Sequence, residues 1–223
     1  MGSDPRTPHG TPHAGPVSEK VDFKRTLPGY RAPRGRFAIV DVPDARYLMI
    51  DGHGDPDTAQ EFTEALEALY PVAYALKFAS KGELGRDYVV PPLEGLWWAD
   101  DMEAFTSARD KSRWEWTLLL MVPDWIDALM IARAVAAVRE KGPRPRLDDV
   151  RCEVLSEGRC VQTLHVGSFD DEAAVLARMH HEFIPQSGLR MTGTHHEIYL
   201  SDPRRTAPER LRTILRQPVA PRD

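Results

Sequence analysis

The sequence predicts an α+β fold in which two copies of a strand–turn–helix–strand–strand unit lie side by side in one antiparallel sheet. Three observations carry that reading. The second half repeats the first: YLMIDGHGDPD (47–57), a helical run to about residue 79, YVVPPLEGLWW (88–98) and WTLLLMVP (116–123) are answered by VQTLHVGSFDD (161–171), a helical run to about residue 186, THHEIYLSDP (194–203) and RTILRQPV (212–219). Apolar residues between the strands recur at helical spacing. The strand 194–201 alternates, with His196, Ile198 and Leu200 on one face and His195, Glu197 and Tyr199 on the other. Helices covering one side of an antiparallel sheet is the usual α+β arrangement. The Ile/Leu face is then expected under the helices, and the His/Glu/Tyr face in an open groove on the other side. The repeat aligns Glu94 with Glu197, so both carboxylates are expected in that groove.

Taken in order, residues 1–35 are rich in Pro, Gly, His, Arg and Thr without apolar periodicity and read as a flexible arm. One domain follows over 36–219, with a first repeat at about 37–123, a linking helix at 124–141 and a second repeat at about 150–219. FAIVDV and YLMI within 37–50 are strand pieces broken by Pro43. Asp55-Pro56 is a helix start, with Asp as cap and Pro where no N–H is needed. Phe62, Leu66, Leu69, Ala73 and Leu76 mark one face of that helix, and Pro71 is expected to kink or split it. Residues 100–112 read as a surface loop. Pro123 and Gly142 bound the linking helix, and GPRPR (142–146) joins the halves. Asp170 or Asp171 caps the third helix, whose face is Val175, Leu176, Met179 and Phe183. The tail after Pro218 is expected to fray.

Composition excludes several function classes. The chain of 223 residues has a formal net charge of -5 and is 42% hydrophobic and 28% charged, an ordinary globular balance. Strong electrostatic binding to nucleic acid needs a basic field, so none is expected. No apolar run suits a membrane span and no secretory signal is visible, which points to the cytoplasm. Cys152 and Cys160 flank an apparent hairpin turn, LSEGR, and read as reduced thiols rather than a disulfide.

The residues that carry chemistry are few. Glu94 in PLEGLWW and Glu197 in HHEIYL lie in apolar or aromatic surroundings. A desolvated carboxylate there serves as a general base or attracts a cation. Trp97 and Trp98 are adjacent on a strand, so one faces the core and the other the groove; Trp114 and Trp116 share a face. Aromatic walls suit a flat, hydrophobic ligand. Tyr70, Tyr74, Tyr88 and Tyr199 are candidate hydrogen-bond donors to a carbonyl gaining charge, although for any one of them a satisfied buried hydroxyl is the simpler account. His195 joins the groove-facing set. A metal is not expected, because His195 and His196 point to opposite faces and no zinc-type spacing occurs. GHGDP lacks a full dinucleotide fingerprint, and GSF lacks the nucleophile elbow.

The runs GHGDPD, LYPVAYALKF, DYVVPPLEGLWW, WEWTLLLMVPDW, CEVLSEGRCVQTLHVGSFDDE and THHEIYLSDPRR resemble the GyrI-like small-molecule-binding family. They are most similar to its stand-alone branch, related to the cyclopropanoid cyclopropyl hydrolases, over about residues 37–219. The resemblance implies a duplicated βαββ (SHS2-type) architecture and a central groove with aromatic walls and a glutamate at its floor. It also implies hydrolysis of the activated cyclopropane of DNA-alkylating natural products without a cofactor. By the same likeness Glu197 is the base, Tyr70 or Tyr88 the acid, and Trp97 or Trp98 with Trp114 the walls. Other members are multidrug-responsive effector domains and DNA gyrase inhibitors, so a drug-sequestering role and contact with gyrase are the alternatives. About 35 residues ahead of the first strand are too few for a helix-turn-helix domain with its linker.

Overall fold

Pro43 and Asp44 interrupt what would otherwise be one long strand. In the computed structural model, which describes residues 19–99 and 110–222, a single helical turn α1 (Phe23–Thr26) precedes β1 (Ala38–Val42) and β2 (Ala45–His53). The long helix α2 (Gln60–Leu84), β3 (Leu93–Trp98), β4 (Glu115–Val122) and the linking helix α3 (Ala128–Glu140) complete the first half. The second half repeats the pattern with β5 (Arg151–Leu155), β6 (Gly158–Val166), α4 (Glu172–Arg178), β7 (Leu189–Met191), β8 (His195–Tyr199) and β9 (Arg212–Pro221). Between α4 and β7 the backbone passes through a π-helical segment, Met179–Phe183, and a last turn, Ile184–Gln186.

All strands join one antiparallel sheet in the order β1-β6-β9-β8-β3-β4-β2-β5, with β7 added on β9. The α+β class and the repeat are therefore as the sequence predicts. Each repeat lends its first strand to the other. Ladder pairs run from Ala38↔Gln162 to Val42↔Gly158, and resume from Ala45↔Leu155 to Met49↔Arg151. The register is continuous across the Pro43 corner, where proline has no N–H to offer the ladder. β5 and β6 are thus two legs of one bent strand rather than a hairpin. Cys152 and Cys160 do not face each other, and both are free.

Packing divides cleanly between the two faces. On one, Leu48, Ile50, Trp97, Trp116, Leu118 and Leu120 meet Ala65, Leu69, Val72 and Leu76 of α2 and Met130, Ala134 and Val138 of α3. Gly52 is required here, because a Cβ would stand 2.1 Å from the Trp116 ring. α2 runs unbroken through Pro71, with its stop at Gly85 (φ 65°). It begins later than expected: the Asp55 side chain and carbonyl take the N–H groups of Asp57, Thr58 and Ala59, forming a turn before the helix instead of its cap.

The other face corrects two expectations. Ile198 packs there and not under the helices, together with Tyr47, Met49, Leu119, Met121 and Ile214. That face is not open. Residues 19–34, read from sequence as part of a flexible arm, lie across it. Val21 bridges Tyr88, Phe23 stacks on Trp125 at 5.8 Å, and Leu164 N–H donates to the Pro33 carbonyl. Two large rings, Phe23 and Tyr30, anchor the segment, and single anchors leave no periodic signal. The remainder of the expected arm, residues 1–18, and most of the loop expected at 100–112 lie outside the described residues. The tail does not fray at Pro218: Met191 pairs with Val219, and Arg222 N–H donates to the Gly188 carbonyl. Among the described residues no helix is long and apolar enough to cross a membrane.

Candidate functional site

A cavity of about 570 Å³ opens between α2 and α4 on the helical side of the sheet, within the size range of small-molecule pockets. One wall is a stripe on α2, Phe62, Leu66, Tyr70 and Tyr74, each one turn above the last. The facing wall is Phe169, Glu172, Ala173 and Leu176, and the floor is Trp97, Glu197 and Tyr199 from β3 and β8. Trp114 closes one end, edge-on to Trp97 at 5.7 Å. The rim is charged, with Asp57, Lys111, Asp202 and Arg204.

The floor is a directed hydrogen-bond chain. Trp97 Nε1 donates to Tyr199 Oη at 2.9 Å, and Tyr199 Oη donates to Glu197 Oε2 at 2.9 Å. His195 Nε2 lies 3.5 Å from Glu197 Oε1, on the core side. The Glu197 side chain is 12% exposed, so it meets the cavity through a narrow window. Burial, and then the nearby Glu197 and Glu172 carboxylates, push the Tyr199 phenol well above its ordinary pKa. It stays protonated and spends its one proton on Glu197. Burial likewise raises Tyr70, outweighing the Arg204 guanidinium that pulls it down, so Tyr70 is a protonated phenol in the cavity wall.

This chain depends on the absence of a side chain at Gly95. A Cβ there would stand 2.6 Å from Trp97 Nε1 and 3.2 Å from Tyr199 Oη. Gly95→Ala is therefore expected to displace the indole and weaken binding of a flat aromatic ligand about tenfold, measured by tryptophan-fluorescence titration. Unchanged affinity would show that the floor does not contact the ligand.

The structure brings Glu197, Tyr70, Tyr74, Tyr199, Trp97 and Trp114 to one cavity. It does not bring Glu94. The ladder pairs Gly95 with Glu197 and Glu94 with Ile198, and directly paired residues share a face. Glu94 therefore points through the sheet, where it accepts a hydrogen bond from Tyr30 Oη at 2.6 Å. The expectation of two repeat-related carboxylates in one groove is overturned by this one-residue offset. Tyr88 is also on the far side, edge-on to Phe23 and Trp125. Trp98 points away from the cavity by strand alternation. Trp116 is 0% exposed beneath Phe62, and His195 sits behind the floor against His180.

The sequence reading missed Glu172, which is 4% exposed and lines the cavity. An acidic residue in the first turn of a helix normally signals only the helix start, and nothing in GSFDDE marks this one as inward. Phe169, edge-on to Tyr199 at 5.7 Å, was missed as well. Among the described residues no group of three His, Cys, Asp or Glu stands close enough to hold a metal ion.

Residues 127–220 match the family model of the GyrI-like small molecule binding domain. Several solved structures are similar along nearly the whole chain. An uncharacterized conserved protein from Listeria innocua is 40% identical with a TM-score of 0.82, over 90% of this chain and 100% of that one. A hydrolase from Listeria innocua is 39% identical with a TM-score of 0.78 over the same shares. The EcmrR C-terminal domain, at 12% identity and a TM-score of 0.52 over 83% of this chain and 98% of its own, shares the fold. No curated protein matches the chain.

Proposed function

Because the chain belongs to the GyrI-like small-molecule-binding family, we propose that its cavity holds a flat aromatic electrophile and hydrolyses it, the substrate class being spirocyclopropyl dienones of the DNA-alkylating type. The observation that carries this reading is Glu197: a largely buried carboxylate, oriented by Tyr199, at the floor of an aromatic-walled cavity. Two Listeria innocua relatives, at 39% and 38% identity, are described as hydrolases, which supports a reaction with water.

The residues divide the work as follows. Phe62, Trp97, Trp114 and Tyr70 hold the planar ring system against the floor. Glu197 takes a proton from a water molecule as the water oxygen attacks the cyclopropane methylene. The methylene–spiro carbon bond breaks, and its electron pair passes through the dienone to the carbonyl oxygen. Tyr70 Oη donates a hydrogen bond to that oxygen as charge develops. The proton held by Glu197 returns through solvent to give the phenol. Substrate and one water become one hydroxymethyl phenol, and no oxidant, reductant or cofactor enters. Among the tyrosines Tyr88 is excluded by position, and Tyr199 has already committed its proton.

The test is incubation of the protein with excess spirocyclopropyl dienone, followed by mass spectrometry. Multiple turnovers to a product heavier by one water are expected. Stoichiometric binding with no released product would leave a sequestering protein using the same walls.

A further inference from the structure

The α2 stripe does not end where the cavity does. Phe78 continues the series Phe62, Leu66, Tyr70 and Tyr74 at the same four-residue step, outside the cavity. The Tyr70 and Tyr74 rings stack at 6.4 Å and 30°, and the Tyr74 and Phe78 rings at 6.5 Å and 29°. Tyr74 is 48% exposed and Phe78 63%. Phe78 is held rather than loose: Lys77 Nζ lies 5.0 Å from its ring centroid, and that ammonium is itself fixed to Asp87 at 2.7 Å. An aromatic ledge thus leads from the floor region out to solvent, and two helical steps carry it about 12 Å along α2.

We propose that this ledge is the outer part of the same binding surface, and that the ligand is an elongated molecule. Its head occupies the cavity at Glu197, and a flat aromatic tail lies on Tyr74 and Phe78. The inference rests on the reading of the cavity as a small-molecule site. The ledge argues for this occupant by continuity, since its inner rings are already cavity wall and its outer ring repeats their spacing and tilt. A tail on exposed rings gains affinity by stacking, a contact that tolerates variation in the tail. Length of the aromatic system thereby becomes a basis for selection between ligands.

Two probes test it: a single-unit spirocyclopropyl dienone, and the same dienone amide-linked to one indole. Dissociation constants for both are measured on the full chain and on Phe78→Ala and Phe78→Trp. Wild type is expected to prefer the longer probe, and Phe78→Ala to reduce that preference about fivefold or more. Phe78→Trp is expected to retain it. Equal preference in wild type and Phe78→Ala overturns the ledge while leaving the cavity reading intact. Failure of wild type to bind either probe overturns the cavity reading itself. A change of oligomeric state in Phe78→Ala would assign the ledge to a second copy of the chain. A gain in long-probe affinity on removing residues 1–18 would assign it to the chain's own N-terminal segment. Either result overturns the proposal.

Discussion

Glu197→Gln is expected to lower turnover of a spirocyclopropyl dienone by about 10²–10⁴-fold, the usual contribution of a general base, with ligand affinity retained. The amide keeps the shape of the side chain and still accepts the Tyr199 hydrogen bond, but it does not take a proton from water. The hydrogen-bonded floor of Trp97, Tyr199 and residue 197 therefore survives, and only the chemical step is lost. Pre-steady-state product formation on the variant, with binding followed by tryptophan fluorescence, separates the two. Glu94→Gln is the informative control. From the far face of the sheet it lowers thermal stability while leaving turnover per folded molecule unchanged. If Glu197→Gln turns over like wild type, the base is elsewhere and the mechanism fails; Glu172 then becomes the acidic group to examine.

That control exists because of a single-residue ambiguity in the sequence. Two halves, each strand–helix–strand–strand, were legible from repeated apolar runs, and the floor strand 194–201 was legible from its alternation. Aligning PLEGLWW on HHEIYL by their glutamates was natural, yet a one-residue slip carries every side chain to the other face. The ladder aligns Gly95 with Glu197. The signal for that was the glycine: the first repeat has no side chain at the floor, where the Trp97 indole and the Tyr199 hydroxyl come too close for one. The α2 pattern hid a second ambiguity. Spacing alone places Phe62 and Leu66 on one face with Leu69, Ala73 and Leu76. In the fold these split into Leu69, Val72 and Leu76 facing the sheet and Phe62, Leu66, Tyr70 and Tyr74 facing the cavity. Which side of the sheet holds the groove was not legible at all. It is decided by the segment 19–34, whose hold on the far face rests on backbone hydrogen bonds, two isolated aromatic rings and side-chain bonds from Arg216 and to Glu94.

Arg216→Met is expected to destabilise the protein by about 3–5 kcal/mol, because it leaves a buried carboxylate without one of its two charged partners. Arg216 Nη1 contacts Glu157 Oε2 at 2.8 Å, with both side chains 3% exposed, and Arg216 Nη2 donates to the Gly29 carbonyl at 2.6 Å. His196 completes the set, with Nδ1 at 2.9 Å from Glu157 and Nε2 at 2.9 Å from Glu94, the latter off the line of a hydrogen bond. Two carboxylates, one guanidinium and one imidazolium balance in charge and tie Gly29 and Tyr30 to both halves of the sheet. Burial alone would raise Glu157 and lower His196. Instead His196 and Arg216 pull Glu157 down to about 2, and Glu157 with Glu94 lifts His196 to about 9. The His196 contribution is complete below its unfolded pKa of about 6.5 and is lost as pH rises through about 9. The Glu157 contribution is complete above about 4.5 and is lost as pH falls toward 2. Both describe the same contacts and do not add. Burial holds His180 neutral down to about pH 3 and so removes stability below pH 6.5; urea unfolding is therefore expected to show greatest stability near pH 6.5, and a decline from pH 6.5 to 9 that Arg216→Met does not abolish. A wild-type midpoint that stays flat across pH 6.5–9 would mean that His196 is neutral in the fold. The network would then carry one uncompensated carboxylate, and the N-terminal segment would be fastened by the Arg216–Gly29 and Tyr30–Glu94 hydrogen bonds and the Phe23 ring rather than by charge balance.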